Sequence, residues 1–197
     1  MPLWQKFYAE NPLATVPVTH LDLQGWGSDS PVFAHVLGSV QPKLIIEVGT
    51  WKGASAVHMA KLAPEAEILC IDTWLGSAEM WDYPDLKRQH GYPQFYYTFA
   101  SNVVHYVGRE RICPMALPSS VAATVLKRRG ILADVIYIDG SHEYADVKRD
   151  IEDYWPLVRP GGILFGDDYG HPEVYQAVQD TLHDVRAMWE KFIVVKN

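Results

Sequence analysis

Acidic residues stand where short apolar runs stop: Glu47 after "LII", Asp72 after "EILCI", Asp139 after "DVIYI", and Asp167 with Asp168 after "GGILFG". Carboxylates gathered in one place repel one another and lose hydration, so a fold collects them where a cation or a hydroxyl-rich ligand offsets the cost. Each acid could instead cap the helix that follows, and for Asp72 alone that reading competes well. Acids at four strand ends favour a ligand site. Asp139, Asp167 and Asp168 offer hard oxygen donors of the kind Mg2+ takes while keeping positions for water and substrate oxygens. His142 lies three residues after Asp139. An imidazole there could take a proton from a hydroxyl, or make only a local backbone bond at a helix start. His171 precedes Pro172 and reads first as a helix start.

The turn "EVGTWKGASA" (47–56) follows the first apolar run. A dinucleotide-binding turn needs G-x-G-x-x-G, whose second glycine lets the backbone approach the pyrophosphate. Here Trp51 holds that place, and Glu47 would repel a phosphate. A P-loop is excluded more firmly, because no G-K-[ST] follows. The ligand should therefore lack a pyrophosphate, tolerate or carry positive charge, and present a sugar diol to Asp72. S-adenosylmethionine, with a ribose, a sulfonium and an ammonium, meets all three conditions.

These residues need elements to position them. Branched apolar runs at 43–49, 67–72, 111–115, 134–139 and 161–167 alternate with helix-like segments at 53–63, 119–130 and 143–158, the pattern of a parallel sheet flanked by helices. The continuous apolar character of the first, second and fourth runs predicts burial on both faces. Ser30 and Pro31 mark a helix start ahead of the first strand, and "HPEVYQAVQDTL" predicts another after Asp168. The tail "DVRAMWEKFIVVKN" (184–197) reads as an antiparallel hairpin. In such a sheet, ligands bind beyond the carboxyl ends of the strands, where strand order reverses, and that is where the acids lie.

The chain has 197 residues, enough for one domain with a full core and few for two. Its formal net charge of -7 argues against nucleic acid or an anionic membrane as the main partner. No apolar stretch has membrane-spanning length, and the N-terminus lacks the layout of a signal peptide. Cys70 and Cys113 both sit in strand-like runs and read as buried free thiols. A cytoplasmic setting is expected.

Together, "EVGTWKGASA", "CIDTW" and "ADVIYIDGSHEYADVKRDIEDYWPLVRPGGILFGDDY" resemble class I S-adenosylmethionine-dependent methyltransferases, in the branch of macrocin-type O-methyltransferases and cephalosporin-hydroxylase-like proteins. The resemblance covers residues 30 to 197 and implies an α/β, Rossmann-like methyltransferase fold. That fold has a mostly parallel seven-stranded sheet, helices on both faces and a C-terminal antiparallel hairpin, in a single domain (1–197). Residues 1–29 would be an N-terminal extension.

By position, the resemblance implies that Glu47 and Gly49 contact the methionine part of the cofactor. Thr50, Trp51, Gly53 and Ser55 would complete the cofactor turn, and Asp72 would hold the ribose. Trp74 would lie close to the adenine, with Leu117 and Ser119 lining its pocket. It also implies a Mg2+ ion on Asp139, Asp167 and Asp168, with Asp139 beside the transferable methyl. In related catechol-type enzymes a lysine serves as base where this chain has His142. The expected activity is methyl transfer to a hydroxyl of a small molecule, a sugar or secondary metabolite. An NAD(P)-dependent oxidoreductase on a similar sheet and a non-catalytic cofactor-binding protein are the competing readings. The aromatic stretch within 74–108 (Trp74, Trp81, Tyr83, Tyr92, Phe95, Tyr96, Tyr97, Phe99) suits an acceptor-binding lid, helix packing or a homo-oligomer surface alike.

Overall fold

Val135 and Tyr137 point into one hydrophobic core, Ile136 and Ile138 into another. The same alternation holds for Ile45 against Ile46 and for Phe165 against Leu164. Side chains of a strand leave alternately to opposite faces, so a strand apolar at every position must be covered on both sides. This is the physical content of the unbroken apolar runs in the sequence.

A computed structural model gives the arrangement and describes residues 1–77, 88–89 and 91–197. Trp81, Tyr83 and His90 lie outside the described residues. The strands are β1 (Leu44–Val48), β2 (Glu67–Asp72), β3 (Arg88–Gln89), β4 (Tyr92–Pro93), β5 (Ile112–Ala116), β6 (Ala133–Ile138), β7 (Val158–Gly166), β8 (Arg186–Met188) and β9 (Lys191–Val195). The helices are α1 (Pro31–Val40), α2 (Ala54–Leu62), α3 (Phe95–Tyr106), α4 (Ser119–Arg128), α5 (Tyr144–Tyr154) and α6 (Pro172–Thr181). Ser30 caps α1, its hydroxyl accepting from the Val32 N–H. Helices α1, α2 and α3 cover one face of the sheet; α4, α5 and α6 cover the other.

Seven strands form the main sheet in the order β5-β2-β1-β6-β7-β9-β8. Pairs from β5 to β7 are parallel, while β9 runs antiparallel to both β7 and β8, so the expected terminal hairpin closes one edge. Strand order reverses between β1 and β6. Strand β7 begins at Val158, earlier than the apolar pattern suggests. Pro156 cannot continue α5, which gives way to a 3-10 turn at Trp155–Leu157. The strand then runs through Arg159, Pro160 and Gly161, with an irregular register opposite Ala133 and Val135.

The N-terminal residues are tied to the domain. Tyr8 donates to the Pro114 carbonyl at 2.7 Å, and the Asn11 amide to the Arg109 carbonyl at 2.9 Å. Further along, Asp22 pairs with Lys52 at 2.6 Å and exchanges hydrogen bonds with Asn102 of α3. No helix among the described residues is long and apolar enough to cross a membrane.

Candidate functional site

At the reversal point, the ends of β1, β6 and β7 are knitted by backbone hydrogen bonds. Asp139 N–H donates to the Val48 carbonyl at 2.8 Å, and Asp167 N–H to the Ile138 carbonyl at 3.1 Å. Each acid therefore follows the last paired residue of its strand, and all face the same end of the sheet. Gly49 has φ +84°, and a Cβ on it would stand 2.0 Å from the main-chain oxygen of Asp139. Only glycine lets the two strands' exits approach this closely. Gly53, also at φ +84°, opens α2 with its Cα against the ring of Phe99.

Asp72 laces the turn to β2. Its Oδ2 accepts from the N–H groups of Thr50 (3.0 Å) and Trp51 (2.8 Å), and its Oδ1 from Trp74 N–H (2.7 Å). Burial holds this carboxyl above the usual range, against the pull of those backbone bonds. As a whole residue it is intermediate in exposure.

Glu47 lies beneath the turn at 0% exposure. Ser55 donates its hydroxyl to Oε1, and the Cys70 thiol lies 3.6 Å from Oε2. Burial pushes the Glu47 carboxyl up to about 8, so it is mostly neutral at pH 7. The structure thus places Glu47 behind Ser55.

The tryptophans have definite places. The ring of Trp51, at φ +50°, packs 4.1 Å from Phe95 and 6.5 Å from Trp26. Its carbonyl accepts the indole N–H of Trp74 at 2.8 Å. Trp74 is 3% exposed, its ring against Phe99 and Tyr96. Leu117 and Ser119 follow β5 at the same end of the sheet, both partly buried, and the Ser119 carbonyl accepts from the Tyr154 hydroxyl at 2.8 Å. In the aromatic stretch, Phe95, Tyr96 and Phe99 are packing partners of these tryptophans, whereas Tyr92 and Tyr97 are exposed.

The acids after β6 and β7 form a second cluster. Tyr137 sends its hydroxyl between Asp139 Oδ2 and Asp167 Oδ2, 3.0 Å from each. Lys191, the first residue of β9, is 2% exposed and ion-paired with Asp167 Oδ2. Neither Tyr137 nor Lys191 carries a sequence signal for this place. Tyr137 read as an ordinary core position, and a lysine opening a strand normally lies in water.

Asp168 has φ +54°, which turns its carboxylate outward to His142, with Nε2 2.8 Å from Oδ2. The hydrogen bond from His142 holds the Asp168 carboxyl below the usual range. Burial, reinforced by the charge of Asp167, pushes Asp139 up to about 7. His171 stands at the N-cap position of α6 without a side-chain capping bond, its ring 6.0 Å from that of His142.

The ligand atoms of Asp139, His142 and Asp168 all lie within 4.8 Å of one another. The two carboxylates offer hard oxygen donors that fit a divalent cation, with the imidazole alongside. The structure brings Asp139, His142 and Asp168 together, while Asp167, the third acid of the expected Asp139–Asp167–Asp168 metal set, directs its carboxylate to Lys191. The turn after β1 combines a glycine-made exit at Gly49 with the backbone bonds to Asp72.

A family model described as methyltransferase domain matches residues 46–169. Two curated relatives, uncharacterized protein y4gI of Sinorhizobium fredii and uncharacterized protein R132 of Acanthamoeba polyphaga mimivirus, are each 25% identical, over 73% and 72% of this chain. The chain spans 15% of the first and 60% of the second. The O-methyltransferase TomG of Streptomyces achromogenes, solved in complex with SAM, is similar with a TM-score of 0.64 at 16% identity, over 89% of this chain and 83% of that one. An O-methyltransferase of Bacillus cereus, solved with SAH, has a TM-score of 0.64 at 15% identity, over 95% and 87%. These likenesses show a shared fold.

Proposed function

Because the chain belongs to the methyltransferase domain family, we propose that it transfers the methyl group of S-adenosylmethionine to a hydroxyl oxygen of a small molecule, a sugar or another secondary metabolite, with a divalent cation such as Mg2+ assisting. The observation that carries this reading is the abutment of Gly49 on Asp139. It fixes the cofactor turn and the acid–imidazole cluster as neighbours at one end of the sheet, as transfer between two bound reactants requires.

The chain's residues divide the work. The turn from Gly49 to Gly53 receives the methionine part, with Ser55 at its floor held by Glu47. Asp72 takes the ribose hydroxyls while keeping the turn in place through its three backbone bonds. Leu117 and Ser119 line the adenine side, and Trp74 supports it through the Trp51 carbonyl. S-adenosylmethionine would supply an electrophilic methyl to the acceptor oxygen, with S-adenosylhomocysteine as the other product.

An acceptor hydroxyl is a poor nucleophile until its proton departs. His142 is placed to take that proton. Asp168, 2.8 Å from His142 Nε2, orients the ring and stabilises the imidazolium that forms. Asp139 and Asp168 would hold the divalent cation, whose chemistry when bound is to stabilise negative charge developing on the acceptor oxygen.

A panel of candidate acceptors incubated with isotopically labelled methyl donor, with Mg2+ or with chelator, tests the reading. Metal-dependent label transfer, lost in Asp139→Ala and Asp168→Ala, is expected. Tight binding of NADH with no binding of S-adenosylhomocysteine would overturn it in favour of an oxidoreductase.

A further inference from the structure

Lys191 is the most unusual residue near the site. An ammonium withdrawn from water is tolerated only where an anion and further hydrogen bonds receive it. Here Asp167 Oδ2 is the anion, the Tyr137 hydroxyl is 3.4 Å from Nζ, and the faces of Phe33 and Tyr137 lie 5.3 and 5.6 Å away. Gly27 roofs the pair: a Cβ on it would stand 3.5 Å from Asp167 Oδ2 and 3.6 Å from Lys191 Nζ.

Asp167 lines the same pocket as Asp139, His142 and Asp168, but both its oxygens have protein partners, Oδ2 in Lys191 and Tyr137, Oδ1 in the N–H of Asp168 at 2.9 Å. The neighbouring carboxylate has the opposite surroundings. The Asp168 side chain is 43% exposed and turned toward His142, and Asp139 enters the buried network through Oδ2. Adjacent acids of one strand end have been given different partners.

We propose that Lys191 is a positioning residue that withholds Asp167 from the divalent cation, so that Asp139 and Asp168 are the carboxylate ligands and Asp167 is the fixed counter-ion of a buried ammonium. The inference rests on the metal-assisted reading above. It makes the site a two-carboxylate holder of one hard cation, which leaves coordination positions for water and acceptor oxygens.

Mn2+ affinity, read by electron paramagnetic resonance on the full chain without substrates, tests it. Asp167→Asn and Asp168→Asn each remove one negative charge from neighbouring positions, so any difference between them reports ligation. Asp168→Asn should cost at least tenfold more affinity than Asp167→Asn, and a separation under threefold overturns the proposal. The charge-neutral double variant Lys191→Met/Asp167→Asn, checked for folding by circular dichroism, should bind within threefold of the unaltered chain. A tenfold loss there also overturns it. A purely structural role for Lys191 would lower the melting temperature without producing the asymmetry between the two asparagine variants. Absence of any Mn2+ binding by the unaltered chain would sink the metal-assisted reading itself. Binding with equal losses in the two single variants would sink only the assignment of Lys191.

Discussion

The Cα of Gly49 rests against the main-chain oxygen of Asp139, so closely that a Cβ would stand 2.0 Å from it. The turn after β1 and the acid cluster are therefore one mechanical unit: whatever displaces the end of β1 displaces the first residue after β6. Gly49→Ala meets both this contact and a φ of +84°. A left-handed conformation alone costs an alanine about 1–2 kcal/mol, and the backbone clash adds to it. The expected result is destabilisation of at least ~2 kcal/mol in urea unfolding, with affinity for S-adenosylhomocysteine reduced at least tenfold by calorimetry. Unchanged affinity in a folded variant would separate the turn from cofactor binding.

Glu47 predicts a pH dependence with an unusual sign. Its carboxyl titrates near 4.5 when unfolded and is pushed up to about 8 in the fold by burial. Between those values the native state holds a proton that the unfolded chain has released. Stability from this group is thus fully present below pH 4.5 and is lost as pH rises toward 8, with a slope approaching about 1.4 kcal/mol per pH unit. Glu47→Gln keeps the shape and removes the titration. Urea unfolding from pH 5 to 8 should show a shallower decline in the variant, and parallel curves would rule this account out.

His142 and Asp168 predict a split between binding and turnover. Neither is part of the cofactor turn, and His142 Nε2 lies 2.8 Å from the Asp168 carboxylate. A positioned general base contributes on the order of 10²–10⁴-fold. His142→Gln should lower label transfer by about 100-fold and leave S-adenosylhomocysteine affinity within twofold. A loss of affinity equal to the loss of rate would assign His142 to structure.

Much of this arrangement was legible in the sequence because its causes are local. Ile45 and Ile46, or Val135 and Ile136, are apolar at successive positions since each face of the sheet is covered, and periodicity records that directly. Glu47, Asp72, Asp139, Asp167 and Asp168 end those runs, and their convergence follows from parallel topology alone. The environment of each carboxylate was not legible. Glu47 reads as an acid suited to a cationic methionine moiety, and its burial beneath Ser55 carries no sequence signal. Asp167 and Asp168 are identical neighbours in sequence, and only the tertiary fold, which brings Lys191 across from β9, tells them apart. Residues 1–29 read as an extension because the partners of Asp22, Lys52 in the turn and Asn102 on α3, lie far along the chain.

Trp74 gives the last test, since it answers to two roles. It is 3% exposed, wedged against Phe99 and Tyr96, and its indole N–H reaches the carbonyl of Trp51 at 2.8 Å. Trp74→Phe keeps most of the packing volume and removes the hydrogen bond, for an expected cost of about 1 kcal/mol. Trp74→Ala empties the site and should cost about 3–5 kcal/mol. If the tryptophan supports the adenine side only through the Trp51 backbone, Trp74→Phe should weaken S-adenosylhomocysteine binding less than threefold, because the Asp72 bonds still hold that turn. A tenfold loss in Trp74→Phe, with the melting temperature little changed, would place the indole itself against the cofactor.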